Sequence, residues 1–165
     1  MLVGAILPVV ALAALPRLRR MDDNAEPAPE LYSLFANIPL FAPLPPTTLE
    51  KLATRCSTAD ISPGVEIISE GDQGDRFYGI VTGEVEVRRG GVTQRTLGPG
   101  DHFGEIALLR HVSRTATVVA VSDVRVASLD TADFLDSLAS SETAYSIAWQ
   151  ATSDILDGQV EQHET

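Results

Sequence analysis

Residues 103–118, FGEIALLRHVSRTATV, set a carboxylate at the start of a short apolar segment and an arginine nine residues later. Gly98-Pro99-Gly100-Asp101 before it is turn material, and Glu105-Ile106-Ala107-Leu108-Leu109 contains good helix formers and no breaker. A short helix is expected to begin near Gly104 and to end at Arg110-His111. The first amides of a helix have no partner within it and carry the positive end of its dipole, so they suit an anion. Arg114 stands at the head of the β-branched run Thr115-Ala116-Thr117-Val118-Val119, which lets the chain fold back and turn the guanidinium toward the helix start. A phosphate between them would take a two-pronged contact from arginine and further bonds from backbone N–H groups. Glu105 cannot favour that anion and needs a donor instead, for which a ribose 2′-hydroxyl is suited. One ligand with a phosphate and a free hydroxyl satisfies both residues.

Outward from this stretch the chain reads as β structure. Residues 65–68, 77–88, 92–97, 115–121 and 124–129 are short runs rich in β-branched residues and bounded by Gly, Pro, Asp or Ser. Strands so short and evenly spaced predict a sandwich or barrel. Val85 and Val87 alternate with Glu84, Glu86 and Arg88, giving one buried and one wet face, and Arg89-Gly90-Gly91-Val92 closes a hairpin. Helices flank the β unit. Thr48 is a candidate cap for a helix with Leu49, Leu52, Ala53 and Cys56 on one face, and Asp130 with Asp133 for one carrying Phe134, Leu135 and Leu138. A longer helix from Glu142 to Asp157 is expected to place Tyr145, Ala148, Trp149, Thr152 and Leu156 on one stripe and to stop at Gly158.

Residues 103–118 resemble the phosphate-binding cassette of the cyclic nucleotide-binding domain family, without a gap. The likeness extends to Gly71-Asp72-Gln73-Gly74-Asp75-Arg76-Phe77-Tyr78 and to Val81-Thr82-Gly83-Glu84-Val85-Glu86-Val87, and covers about Ile38 to Leu156. It implies a mainly β fold with flanking helices, a β-roll or jelly-roll-like double-stranded barrel. By this resemblance Glu105 holds the ribose hydroxyl and Arg114 the cyclic phosphate, while the backbone at Gly104, Ile106 and Ala107, with Thr115, completes the cradle. An apolar residue of the C-terminal helix is expected to cap the base, with Trp149 and Tyr145 as candidates. The ligand implied is cAMP ahead of cGMP, although a threonine at position 115 keeps the choice of base open. A duller reading pairs Arg114 with Glu105 in an empty pocket. His102 and His111 read as turn residues without metal ligands to join them, and Glu70, Asp72 and Asp75 as a solvated turn.

Bulk properties narrow the function classes. A net charge of −11 opposes nucleic acid, whose binding rests on phosphate neutralisation by Lys and Arg. No GxSxG, HExxH, CxxC or Walker pattern is present, so no enzyme, metal or cofactor is expected beyond the nucleotide ligand. A transcription factor would need a DNA-reading helix-turn-helix after the long helix, and residues 159–165 are expected to be only an acidic tail. Cys56 is the only cysteine, which excludes an internal disulfide.

The N-terminus reads separately. Leu2 to Leu15 is apolar and uncharged, and Pro16-Arg17-Leu18-Arg19-Arg20 follows it. A secretory signal would carry its positive charge in front of the apolar run, and a helix buried in the domain would not be set apart by an acidic, proline-containing linker. The preferred reading is the tail of a transmembrane helix with arginines on the cytoplasmic side. The expected layout is therefore a partial membrane segment over 1–20, a linker over 21–34, the domain over 35–158 and the tail over 159–165. Read so, the chain sits on the cytoplasmic face of the plasma membrane, attached to a membrane domain such as a bacterial permease of the major-facilitator type. The alternative is a free-standing cytoplasmic sensor, and homodimerisation is left open.

Overall fold

A computed structural model of the protein describes residues 28–160. The apolar stretch 2–15, its basic flank and residues 161–165 lie outside the described residues. Two antiparallel four-stranded sheets face each other. One has the order β1 (Ser57–Ile61), β8 (Val124–Asp130), β3 (Arg76–Thr82), β6 (His102–Phe103), and the other β2 (Glu66–Ile68), β7 (Thr117–Ala120), β4 (Val85–Arg89), β5 (Val92–Leu97). Sequence-distant strands are neighbours in both, as in a β-roll. Ile80, Val85, Phe103, Val118, Ala120, Val124 and Val126 fill the space between the sheets. The predicted alternation in β4 holds, with Val85 and Val87 buried and Glu86 and Arg88 half-exposed. Arg89 pairs with Val92 across the predicted hairpin.

A second core joins the roll to helices α1 (Pro29–Asn37), α2 (Pro46–Arg55), α4 (Thr131–Ala139) and α5 (Glu142–Val160). Phe77, projecting from β3, stacks on Phe134 at 4.9 Å and meets the edge of Phe41 at 5.3 Å. Aromatic pairs at these separations add to the burial of their own large apolar area. The short α3 (Glu105–Arg110) adds Leu108 and Leu109 to this core and contacts both β3 and α5.

Several elements depart from the sequence reading, each for a local reason. The single run expected over 77–88 is two strands, because Gly83 turns the chain at φ +85° and a Cβ there would collide with the Asp123 carbonyl. The strand expected from Thr115 begins at Thr117, since the backbone of Arg114 pairs with the β2–β3 loop instead: Gly71 N–H donates to Arg114 O (2.8 Å) and Arg114 N–H to Asp72 O (2.7 Å). Strands β1 and β6 were too polar or too short to announce themselves. Residues 29–34, placed in a linker by the sequence, belong to α1, where Leu31, Leu34 and Phe35 are buried. Helix α2 starts two residues before Thr48, with Pro46 at its first position, where a missing N–H costs nothing and the fixed φ helps. The Asp130 cap is as expected, accepting from Asp133 N–H at 2.9 Å. In α5 the buried stripe is Ala144, Ala148 and Thr152, while Tyr145 and Trp149 face outward, and the helix runs through Gly158 to Val160. Small side chains let α5 approach its neighbours closely.

Candidate functional site

Gly104 turns the chain from β6 into α3 with φ +92°. A Cβ at this position would stand 2.8 Å from Arg114 Nη1 and 2.9 Å from the Arg76 carbonyl, so glycine serves here both for its conformation and for its lack of bulk. Beyond it, Glu105, Ile106 and Ala107 form the first turn of α3, whose amides have no intrahelical acceptor. His111 closes the helix in the left-handed conformation, its N–H donating to Ala107 O, and this sharp stop sends the chain back toward the helix start.

Arg114 is the centre of the arrangement and is only 4% exposed. Nη1 donates to the Gly104 carbonyl (2.9 Å) and Nη2 to the Arg76 carbonyl (2.8 Å). The carboxylate that pairs with it, Asp75, lies 3.9 Å from Nη2 and is itself 79% exposed, so it neutralises the charge weakly. Burial pushes the Arg114 pKa down, against the pull of Tyr78, Asp75, Glu105 and Asp72. A guanidinium has five donors and remains charged in proteins, so two carbonyl bonds leave capacity for an anion.

Glu105 is buried too, at 5% exposure, and its Oε2 has no hydrogen-bond partner among the described residues. A buried acceptor without a donor is costly, and this one lies in the wall of a cavity. The lining includes Gly104, Glu105, Ile106, Ala107, Arg114 and Thr115, all six of the residues predicted for the cradle. Val87 and Arg95 lie at the same cavity. Its volume is about 50 Å³. Pockets enclosing a drug-sized ligand hold roughly 300 Å³ or more, so this cavity is too small to enclose a whole molecule of that size.

The candidate lid residues are placed elsewhere. Tyr145 and Trp149 are not among the cavity's lining residues; they stack on each other at 6.2 Å and are 45% and 42% exposed. The acidic β2–β3 loop is more than a solvated turn. Gly71 and Asp72 pair with the Arg114 backbone, Gly74 lies so close that a Cβ would be 2.6 Å from Ala107 Cβ, and Arg76 supplies a carbonyl. The spacing Gly71-x-x-Gly74 carried that information in its two glycines. Arg95 was also missed; it reads as one polar residue in an edge strand until the fold brings β5 to the cavity. His102 is not a turn residue: its ring stacks on Phe77 at 5.6 Å, and burial lowers its pKa.

The two-sheet roll thus gathers a buried arginine, an unpartnered carboxylate oxygen and the first turn of a short helix around one cavity, a donor set for an anion beside an acceptor for a hydroxyl. The profile of the cyclic nucleotide-binding domain matches residues 59–141, just over half of the chain. The protein belongs to the cyclic nucleotide-binding domain family.

Relatives agree on this level. The cAMP-dependent protein kinase regulatory subunit of Aspergillus niger is 36% identical over 133 residues, covering 77% of this chain and 32% of that protein. A cyclic nucleotide-gated potassium channel of Mesorhizobium japonicum is 37% identical over 103 residues, covering 62% and 28%. The chain thus spans about a third of the length of such curated relatives. The regulatory domain of Toxoplasma gondii protein kinase A, solved with cAMP, superposes with a TM-score of 0.68 at 22% identity, over 75% of this chain and 49% of that one. The regulatory subunit of a cAMP-independent protein kinase A from Trypanosoma brucei gives 0.68 at 28% identity, over 81% and 48%. These relatives are regulatory subunits and a channel, and a permease-type neighbour finds no parallel among them. Among the described residues, no helix is long and apolar enough to cross a membrane.

Proposed function

We propose that this protein is a non-catalytic regulatory domain that captures a cyclic nucleotide, cAMP ahead of cGMP, and passes its occupancy to an effector. One observation carries the reading: a buried guanidinium with donors to spare and a buried carboxylate oxygen without a donor line the same cavity. The cyclic phosphate supplies the anion for Arg114 and the ribose 2′-hydroxyl supplies the donor for Glu105. Thr115 and the amides at the start of α3 complete the phosphate contacts. The purine lies at the cavity rim, beside Val87 and Arg95, because the interior is too small for it. No cofactor or metal takes part.

The relatives are named for a kinase and for a channel, so their shared feature is control of an effector attached or docked to the domain. The apolar stretch 2–15 and its arginines support attachment at the cytoplasmic face of a membrane. Membrane flotation of the full chain checks that placement, and recovery wholly in the soluble fraction rejects it.

A second reading comes from the trypanosomal relatives. One is described as cAMP-independent, and a Trypanosoma cruzi counterpart, 26% identical with a TM-score of 0.65, as bound to guanosine. A nucleoside lacks the phosphate that Arg114 is placed to hold. Calorimetric titration of the full chain with cAMP, cGMP and guanosine separates the two. Arg114→Ala is expected to weaken cyclic nucleotide binding by about 1.5–3 kcal/mol, roughly 10- to 150-fold. Equal heats for the wild type and Arg114→Ala reject the site, and a heat with guanosine alone favours the second reading.

A further inference from the structure

The cassette helix α3 is fastened to α5 by one side chain that the ligand contacts do not use. Arg110, the last residue of α3, donates from Nε to Thr152 Oγ1 (3.0 Å) and from Nη2 to the Trp149 carbonyl (2.8 Å) and to Ser153 Oγ. Its guanidinium carbon also lies 3.6 Å from the centroid of the Trp149 ring. Such a stacked cation is attracted by the ring's quadrupole. Thr152 is fully buried, and its own hydroxyl proton is committed to the carbonyls of α5, so Arg110 is what satisfies its oxygen as an acceptor. A planar fork can reach a hydroxyl, a carbonyl and a ring face at once, which a lysine ammonium cannot.

We infer that Arg110 is a strap that makes α3 and the 149–153 turn of α5 move as one body. At its other end α3 carries Glu105, Ile106 and Ala107 in the cavity wall, so a shift of the cassette on capturing a nucleotide is delivered through Arg110 to Trp149. The ligand half of this statement rests on the function proposed above, and the mechanical half does not. With the strap in place, Trp149 is held on Arg110 and Tyr145 and away from the cavity lining. Arg110 is therefore a positioning residue, which touches no ligand.

Trp149 is the chain's only tryptophan, and its emission reports the state of the strap directly. The full chain, Arg110→Gln and Arg110→Lys are compared by titration with cAMP and cGMP, followed by calorimetry and by Trp149 emission, and by backbone hydrogen exchange without nucleotide. In the wild type, binding heat and an emission change are expected together. In Arg110→Gln the heat persists while the emission change falls by more than half, and exchange within residues 142–160 accelerates about tenfold with the sheets unaffected. Arg110→Lys, which keeps a cation near the ring, moves in the same direction and covers the case in which the glutamine variant folds poorly. A variant that retains both the wild-type emission change and the wild-type exchange overturns the strap, as does wild-type emission indifferent to a nucleotide that demonstrably binds. If no nucleotide gives heat with the wild type, the proposed function fails, and the strap stands or falls on hydrogen exchange alone.

Discussion

At the scale of single residues, the site is a matter of complementary deficits. Arg114 is buried with no carboxylate within ordinary bonding distance, and Glu105 Oε2 is buried with no donor among the described residues. Direct pairing would relieve both, yet no ion pair joins them although both line the same cavity, and Arg114 is held instead by the Gly104 and Arg76 carbonyls. That arrangement disfavours the reading of a closed, empty pair. It also separates the two roles experimentally. Glu105→Gln keeps the shape and removes the charge, so the carboxylate's preference for a ribose hydroxyl weakens while the phosphate contacts remain. The wild type is expected to bind 2′-deoxy-cAMP more weakly than cAMP by about 1.5–3 kcal/mol, the range for a hydrogen bond to a charged group. In Glu105→Gln that gap shrinks by at least half, as read by competition calorimetry; an undiminished gap would remove Glu105 from ribose recognition.

Among the elements, the cassette helix and its arginine could be read almost residue by residue, because glycine, acid, apolar turn and arginine at fixed spacing describe one continuous piece of chain. The same holds for the Asp130 cap and the Arg89–Val92 hairpin, which depend on near neighbours. What escaped the sequence depends on distant partners. Strand β1, Ser-Thr-Ala-Asp-Ile, becomes a strand because β8 lies beside it, with Ala59 opposite Val126 and Ile61 opposite Val124. Trp149 faces outward against Arg110 of another helix, with Tyr145 stacked on it, and Arg95 reaches the cavity only through the fold. Strand β6 carries a testable case of this kind. His102 pairs opposite Gly79, stacks on Phe77, and has its pKa lowered by burial and by Arg95, against Glu105 and Asp101. Its folded pKa lies below the ordinary value near 6.5, so below that pH the unfolded chain binds more protons and stability falls with acidification. The contribution is complete above pH ~6.5 and is lost as pH drops, with a slope of at most about 1.4 kcal/mol per pH unit. His102→Phe, which preserves the stack, is expected to flatten denaturant-measured stability between about pH 6.5 and 5 relative to the wild type. Parallel curves for the two proteins would show that the histidine charges freely in the folded state.

For the whole molecule, the question is whether the helical core and the roll open together. Phe77, Ala127 and Leu129 belong to the helical core although they stand on strands β3 and β8, so the two cores share a sheet and are expected to unfold as one unit. Cys56 gives a reporter on the helical side, far in sequence from the cassette. It caps α2, is 2% exposed, and burial pushes its pKa from 9.0 up to about 12, so the folded protein holds the thiol inert at neutral pH. Because the folded pKa is the higher one, the same burial stabilises fully below pH 9 and is lost as pH rises toward 12. Alkylation of Cys56 at pH 8 therefore waits on opening of the helical layer. If that opening is global, cAMP at a hundred times its dissociation constant binds only the closed form and slows labelling about a hundredfold, equivalent to about 2.7 kcal/mol. If the helices open on their own while the roll stays folded around its ligand, labelling is indifferent to cAMP. Arg114→Ala, at the same cAMP concentration, is expected to lose most of the protection, because it weakens binding without touching Cys56. Protection that survives Arg114→Ala would mean that the nucleotide stabilises the fold from somewhere other than this cavity.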